Sequence, residues 1–210
     1  MAARHPDLTR VSATGGDSAL AAYEKLSAIA PTLVINYDDK SWQQLLTQLG
    51  EITGREAQAA ARISQFASQL AKVKGTIILP PQPVTAMVWN PQSSEANIWT
   101  PVSAQGQLLQ QIGFTLTVPT IAERAANAMG KRRDIIPLAG ENLITGLTGK
   151  SFLLFSSGEA DVRSLLDNPL LAHLDAVRDK HVWAMGDDTF RLDYYSASHL
   201  LETLAIQFKQ

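Results

Sequence analysis

The sequence predicts an α/β fold arranged on both sides of one long helix, and three observations predict it. The first is the run TGREAQAAARISQFASQLAKVK at residues 53–74. There Ile52, Ala59, Ile63, Phe66, Leu70 and Val73 recur mostly at three- and four-residue steps, which gathers them into one apolar stripe. The second is an alternation of strand and helix patterns through residues 8–50. The third is the return of that alternation after a proline-rich linker, LPPQP at residues 79–83. A helix of some twenty residues reaches about 30 Å, roughly the diameter of a small domain. It therefore either lies across a whole domain or joins two.

The elements follow from local chemistry. In the long helix, Thr53 and Glu56 spell a capping box, and Gly75 fits a C-terminal cap after Lys72 and Lys74. Before it, residues 8–13 (LTRVSA) read as a strand, although Thr9 and Arg10 interrupt what a buried parallel strand would keep apolar. Residues 14–17 (TGGD) turn the chain into a helix through Ile29, with Asp17 or Ser18 as cap and Pro31 as stop. Residues 32–37 (TLVINY) are rich in β-branched side chains and predict a strand. Ser41 and Gln44 spell a second capping box, opening a short helix that ends at Gly50.

After the linker, residues 84–89 predict a strand and residues 90–101 a polar loop carrying Trp99. Ser103 caps a helix over residues 104–112 that ends at Gly113. Residues 115–118 read as a short strand, and residues 121–129 as helical or irregular. The basic cluster Lys131, Arg132 and Arg133 follows, and Gly140 starts a short helix. Residues 151–155 (SFLLF) carry the strongest buried-strand pattern. A helix over residues 161–166, a strand over residues 181–185 and an amphipathic helix over residues 196–208 complete the chain.

Composition bounds the function. With 45% hydrophobic residues in 210 the chain can build a core, and 18% charged is too few for a disordered chain. A formal net charge of −2 argues for neither nucleic acid nor an anionic membrane. The absence of cysteine excludes disulfides, thiolate metal sites and a cysteine nucleophile, and suits an oxidising compartment. No apolar run reaches the length of a membrane span, and MAARHPDL lacks the apolar middle of a signal peptide.

Catalytic motifs fail on inspection. Gly149-Lys150-Ser151 resembles the tail of a phosphate-binding loop, but Ile144 stands where that loop requires glycine, and a strand follows rather than precedes it. Gly16-Asp17-Ser18 resembles the nucleophile block of a lipase-like hydrolase, yet no Asp-x-x-His partner occurs and a helix cap explains it. His5, His173, His181 and His199 show no metal-ligand spacing. The pairs Asp38-Asp39 and Asp187-Asp188 sit beside turns, where carboxylates are ordinarily solvated. What remains is a set of cations and rings near strand ends: Trp99, Lys131, Arg132, Arg133, Arg191, Tyr194 and Tyr195. Ligands of open α/β sheets sit beyond the carboxyl ends of strands, and guanidinium with indole suits a flat, aromatic anion. Singly, each is better explained as a surface charge or a packed ring.

Four stretches carry a family resemblance: residues 12–54, residues 96–116 (ANIWTPVSAQGQLLQQIGFTL), residues 130–143 (GKRRDIIPLAGENL) and residues 189–197 (TFRLDYYSA). Together they resemble the periplasmic ferric-enterobactin-binding proteins, of the helical-backbone class of substrate-binding proteins that feed ABC importers. The resemblance implies two α/β lobes joined by one long helix with ligand in the cleft, the first lobe incomplete and the second complete. It implies residues 1–52 as the remnant of the first lobe, 53–75 as the connecting helix and 76–210 as the second lobe. The chain itself carries no signal peptide, so a periplasmic location rests on the resemblance. One departure is Thr9-Arg10, which stands where the family has apolar strand residues.

The implied ligand is an iron(III) already saturated by three catecholates, so the protein needs no cofactor of its own. Residue by residue, the resemblance implies Trp99, Arg132 and Arg191 as the main ligand-binding residues, with Lys131, Arg133 and Tyr195 secondary. It implies Glu141 as the glutamate that docks onto the permease; a first-turn helix position explains that residue as well. Two other readings stay open beside importer binding: a non-binding fragment that self-associates, and a siderophore esterase. Buried-type strands in residues 1–52, without the neighbours of a whole lobe, lead us to expect a homodimer through residues 1–75.

Overall fold

The computed structural model describes residues 5–13, 19–37, 40–119 and 133–209. Strands β1 (Thr9–Ser12) and β2 (Thr32–Ile35) pair in parallel, with Thr9 opposite Thr32 and Ser12 opposite Ile35. Between them, the helix expected to reach Ile29 is a single 3₁₀ turn at Leu20–Ala22 followed by α1 (Tyr23–Ser27). The proposed caps Asp17 and Ser18 lie outside the described residues, as does the Gly16-Asp17-Ser18 motif.

Helix α2 (Trp42–Thr53) opens on the expected capping box. The Gln44 amide donates to Ser41 Oγ at 3.2 Å, and the Ser41 amide donates to Gln44 Oε1 at 2.9 Å. The helix passes Gly50 and ends at Gly54, which takes the left-handed conformation at φ 64°. This overturns the capping box expected at Thr53. Thr53 belongs to the last turn of α2 and its hydroxyl donates to the Leu49 carbonyl at 2.7 Å. Helix α3 (Glu56–Lys74) starts after Arg55 with no side-chain cap. The Thr53 signal misleads because glycine closes a helix in that conformation at no Cβ cost, and Gly54 does so here. Gly50 also lets α2 and α3 meet, since a Cβ there would lie 2.9 Å from Ala59 Cβ.

Ile52, expected as the first residue of the stripe, belongs to α2; from Ala59 onward the stripe on α3 forms as expected. Ala59 and Phe66 are buried, and Ile63, Leu70 and Val73 pack half-buried against the core. Its nineteen residues span about 28 Å.

The second lobe is built on a five-stranded sheet in the order β5-β4-β3-β6-β7. Strands β3 (Val84–Asn90), β6 (Ser151–Leu154) and β7 (Val182–Ala184) run parallel. The sequence pattern predicts neither β4 (Glu95–Trp99) nor β5 (Ile135–Ala139); β4 pairs antiparallel with both β3 and β5. Residues 90–101 therefore form the turn and second arm of a hairpin, not a loop. Pro137 is tolerated because β5 is an edge strand. Residues 115–118 make only an isolated bridge, Val84 to Leu116.

Helix α4 (Ala104–Ile112) matches its expectation, with Ser103 Oγ accepting from the Gly106 amide at 2.9 Å. It is followed by α5 (Glu141–Gly146), α6 (Glu159–Leu166), the unexpected α7 (Asp175–Arg178) and α8 (Tyr194–Gln207). Helix α8 starts two residues before the expected Ser196 because Asp193 caps it, accepting from the amides of Tyr195 and Ser196.

Alternation along the strands splits the sheet's side chains between two apolar clusters. Phe152 and Leu154 join Met87, Ile98 and Leu165 in one. Leu153 and Phe155 join Trp99, Leu109 and Leu200 in the other, which also takes in Phe66 of α3 and Trp42 of α2. Gly149 serves this packing rather than a phosphate: its buried amide donates to Thr85 Oγ1 at 3.1 Å, and a Cβ would lie 2.5 Å from the Thr85 nitrogen. Among the described residues no helix is long and apolar enough to cross a membrane.

Candidate functional site

A cavity of about 700 Å³ lies between β1, β2 and the start of α2 on one side, and the end of β4, the start of α4 and residues 190–193 on the other. Trp99, the last residue of β4, is buried in its wall. The indole packs edge-to-face on Phe190, centroids 5.5 Å apart, and its Nε1 has no hydrogen-bond partner among the described residues.

Arg191 reaches the cavity because its neighbours are anchored. Buried Gln105 donates through Nε2 to the carbonyls of Thr189 at 3.2 Å and Phe190 at 2.6 Å. Thr189 Oγ1 accepts from the Ser156 amide and donates to the Gly186 carbonyl. Leu192 is buried and Asp193 is the α8 cap, so the exposed Arg191 guanidinium is carried on a short, well-tied segment. Across the gap, Arg10 of β1 and Lys40 and Tyr37 beyond the end of β2 also line the cavity, as does Trp42.

The other sequence-derived residues fall differently. Lys131 and Arg132 lie outside the described residues. Arg133 is exposed and not among the lining residues, but its carbonyl accepts from Thr100 Oγ1 at 2.6 Å, beside Trp99. Tyr195 is 66% exposed, away from the lining, with its ring edge-on to Tyr194. Tyr194 turns the other way, edge-on to Trp42 and under the Arg62 guanidinium at 5.1 Å. Glu141 is exposed at the first position of α5.

Charge and surface define what the cavity can do. Three cations, Arg10, Lys40 and Arg191, share it with two acids, Asp134 and Asp193. The Asp193 carboxylate already faces the amides of α8. The rings of Trp42, Trp99, Phe190 and Tyr37 supply flat apolar surface. Such a lining suits an anion with aromatic faces. It contains no histidine, and among the described residues no cluster of three or more His, Asp or Glu could hold a metal ion.

His199 instead pairs outside the lining with Asp188 at 2.8 Å, tying α8 to the turn that leads to Arg191. The hydrogen bond to Asp188 raises the His199 pKa above its ordinary 6.5. The tie is therefore complete below that ordinary value and lost as pH rises through the raised one.

The sequence reading missed Arg10, Tyr37, Lys40, Trp42 and Phe190. The rule that ligands sit beyond strand ends applies equally to β2, whose end carries Tyr37 and Lys40.

Comparison with known proteins places this geometry. The model of the family described as periplasmic binding protein matches residues 1–189. Over 208 residues the chain is 60% identical to the ferric enterobactin-binding periplasmic protein FepB of Escherichia coli O6:H1, covering 99% of this chain and 65% of that protein. The chain thus spans just under two thirds of that relative's length. The crystal structure of holo-ViuP superposes with a TM-score of 0.91 at 31% identity, covering 99% of this chain and 69% of that one. FeuA from Bacillus subtilis, a triscatecholate siderophore binding protein solved with ferri-bacillibactin, shares the fold: TM-score 0.70, 15% identity, 97% of this chain and 71% of that one. With the family model matched over residues 1–189, the chain belongs to the periplasmic binding proteins.

Proposed function

We propose that this protein binds a ferric catecholate siderophore of the ferric enterobactin type in its cavity, in the periplasm, and delivers it to the permease of an ABC importer. The observation that carries the proposal is the meeting of Arg191 and Trp99 in one cavity wall. A tris-catecholate iron complex is a compact trianion with ring faces. Its metal is already saturated, so it asks a protein for positive charge and flat surface rather than ligands. Two unit charges at about 4 Å are worth about 4 kcal/mol at an effective dielectric near 20. The relative named for ferric enterobactin supports this ligand class.

In this reading residues 1–52 and 76–210 are the lobes and 53–75 the link. In the same reading the basic run Lys131, Arg132 and Arg133 adds charge; Arg133 stands two residues before β5, whose Ile135 pairs with Trp99 of β4. Tyr195 contributes from outside the lining.

Titrating ferric enterobactin against tryptophan fluorescence tests the assignment. Arg191→Gln is expected to weaken binding roughly tenfold and to flatten its salt dependence, and Trp99→Phe to reduce the quenching by the iron chromophore. Undiminished affinity and an unchanged salt slope in Arg191→Gln would sink it. The recovered ligand should be the intact trimer; hydrolysed trimer would favour the esterase reading. In the same series, Glu141→Lys should leave the quenching intact and slow importer-driven uptake. Uptake at the unaltered rate removes Glu141 from the docking surface.

A second copy of the chain is proposed as a further partner through residues 1–75. Leu8, Leu20, Ile29 and Val34 are exposed around a sheet that has two strands among the described residues. A sheet that small rarely stands by itself, and its open edges invite pairing. Light scattering is expected to give the mass of a dimer at micromolar concentration, and a monomer there refutes it.

A further inference from the structure

Arg10 is the residue that the strand pattern of β1 does not want. Thr9 and Val11 are buried and Arg10 between them is exposed, so the alternation of a strand is kept while a charge sits among positions that favour β-branched side chains. A solvated surface arginine would account for that alone. Arg10, however, lines the cavity, together with Lys40 from the same side and Arg191 from the opposite wall. Among the described residues no carboxylate forms an ion pair with the Arg10 guanidinium. Three cations face two acids in this lining, Asp134 and Asp193, the latter engaged with the amides of α8. An excess of positive charge around one concave space raises its potential, and an entering anion lowers it.

We propose that Arg10 is a ligand-binding residue that selects for charge, gripping a compact polyanion from the first-lobe side while Arg191 holds it from the second. The assignment rests on the reading of the cavity as a ferric catecholate site, and it names which side chain discriminates a trianion from a neutral iron complex of similar size. A guanidinium is fitted to that role. It stays charged at every working pH, and its planar fork meets paired phenolate oxygens side by side.

The experiment uses the full chain and two probes, ferric enterobactin and a neutral ferric trishydroxamate, followed by tryptophan quenching at several salt concentrations. Arg10→Val is expected to weaken the trianion roughly tenfold and to make its salt dependence shallower. The neutral probe should change little. The variant's melting temperature should hold or rise, because valine fits the strand better; affinity and stability moving apart is not what a merely structural residue produces. Arg10→Lys should retain most of the binding.

Equal affinities and parallel salt slopes in Arg10→Val and the unaltered chain overturn the proposal. If Arg10→Val fails to fold, Arg10→Gln decides by the same two readouts. If the unaltered chain shows no response to ferric enterobactin, the cavity reading falls first and this assignment with it.

Discussion

Phe66→Ala is expected to lower the free energy of unfolding by about 3–5 kcal/mol, the usual loss for a large aromatic in a packed interior. Phe66 is 1% exposed at the middle of α3 and belongs to the main apolar cluster. Its ring meets Trp42 edge-on, centroids 4.8 Å apart and planes at 84°, and such a pair adds about 0.5–1.5 kcal/mol beyond burial. Alanine is the better helix former, but that gain is about half a kcal/mol, too small to offset a ring-sized hole. Urea denaturation should show a lower midpoint with an unchanged slope. A midpoint within error of the unaltered chain would mean that α3 does not depend on this contact.

Gly106→Ala should destabilise as well, against the ordinary preference of helices. An alanine there would normally gain up to about 1 kcal/mol. Here its Cβ would stand 2.1 Å from the Thr100 carbonyl oxygen and 2.9 Å from Pro101 Cα, both backbone atoms that no rotamer change can move aside. Helix α4 must then lift from the turn beneath it, straining the bond from the Gly106 amide to Ser103 Oγ. A net loss of about 1–3 kcal/mol follows from overpacking of this kind. Because Thr100 directly follows Trp99, the emission spectrum of the folded variant should shift too. A raised melting temperature would show that the close approach is slack.

The parts of the fold legible in the sequence are those fixed by short-range chemistry. Ser41 with Gln44, and Ser103 with Gly113, mark helix ends correctly because a cap is a local hydrogen bond. The stripe on α3 is legible because burial on one face writes a period. Strand β4 is hidden because Asn90, Gln92, Ser93, Ser94 and Glu95 read as loop. Only pairing on both sides, with Ala96 and Ile98 turned inward, makes it a strand. Thr53 misleads because its spacing to Glu56 fits a cap, while the conformation of Gly54 depends on where α3 can pack against α2.

For the site, Trp99 and Arg191 can be named from the sequence as rings and charges at strand ends. Lys40, beyond the end of β2, is open to the same rule and is missed by the sequence reading, whereas Arg10 lies within β1 and only the fold brings it opposite Phe190.

Trp42, with Leu46 beside it, joins residues before α3 to the main core, and Gly50 seats the same helix against Ala59. Both attachments belong to α2. Strands β1 and β2 with α1 form a small plate that hangs from its first turn, carrying Arg10 and Tyr37 on the rim. The cavity's width between Arg10 and Phe190 is thus set through α2, while the cluster around Leu153 and Leu200 is packed without side chains of β1 or β2.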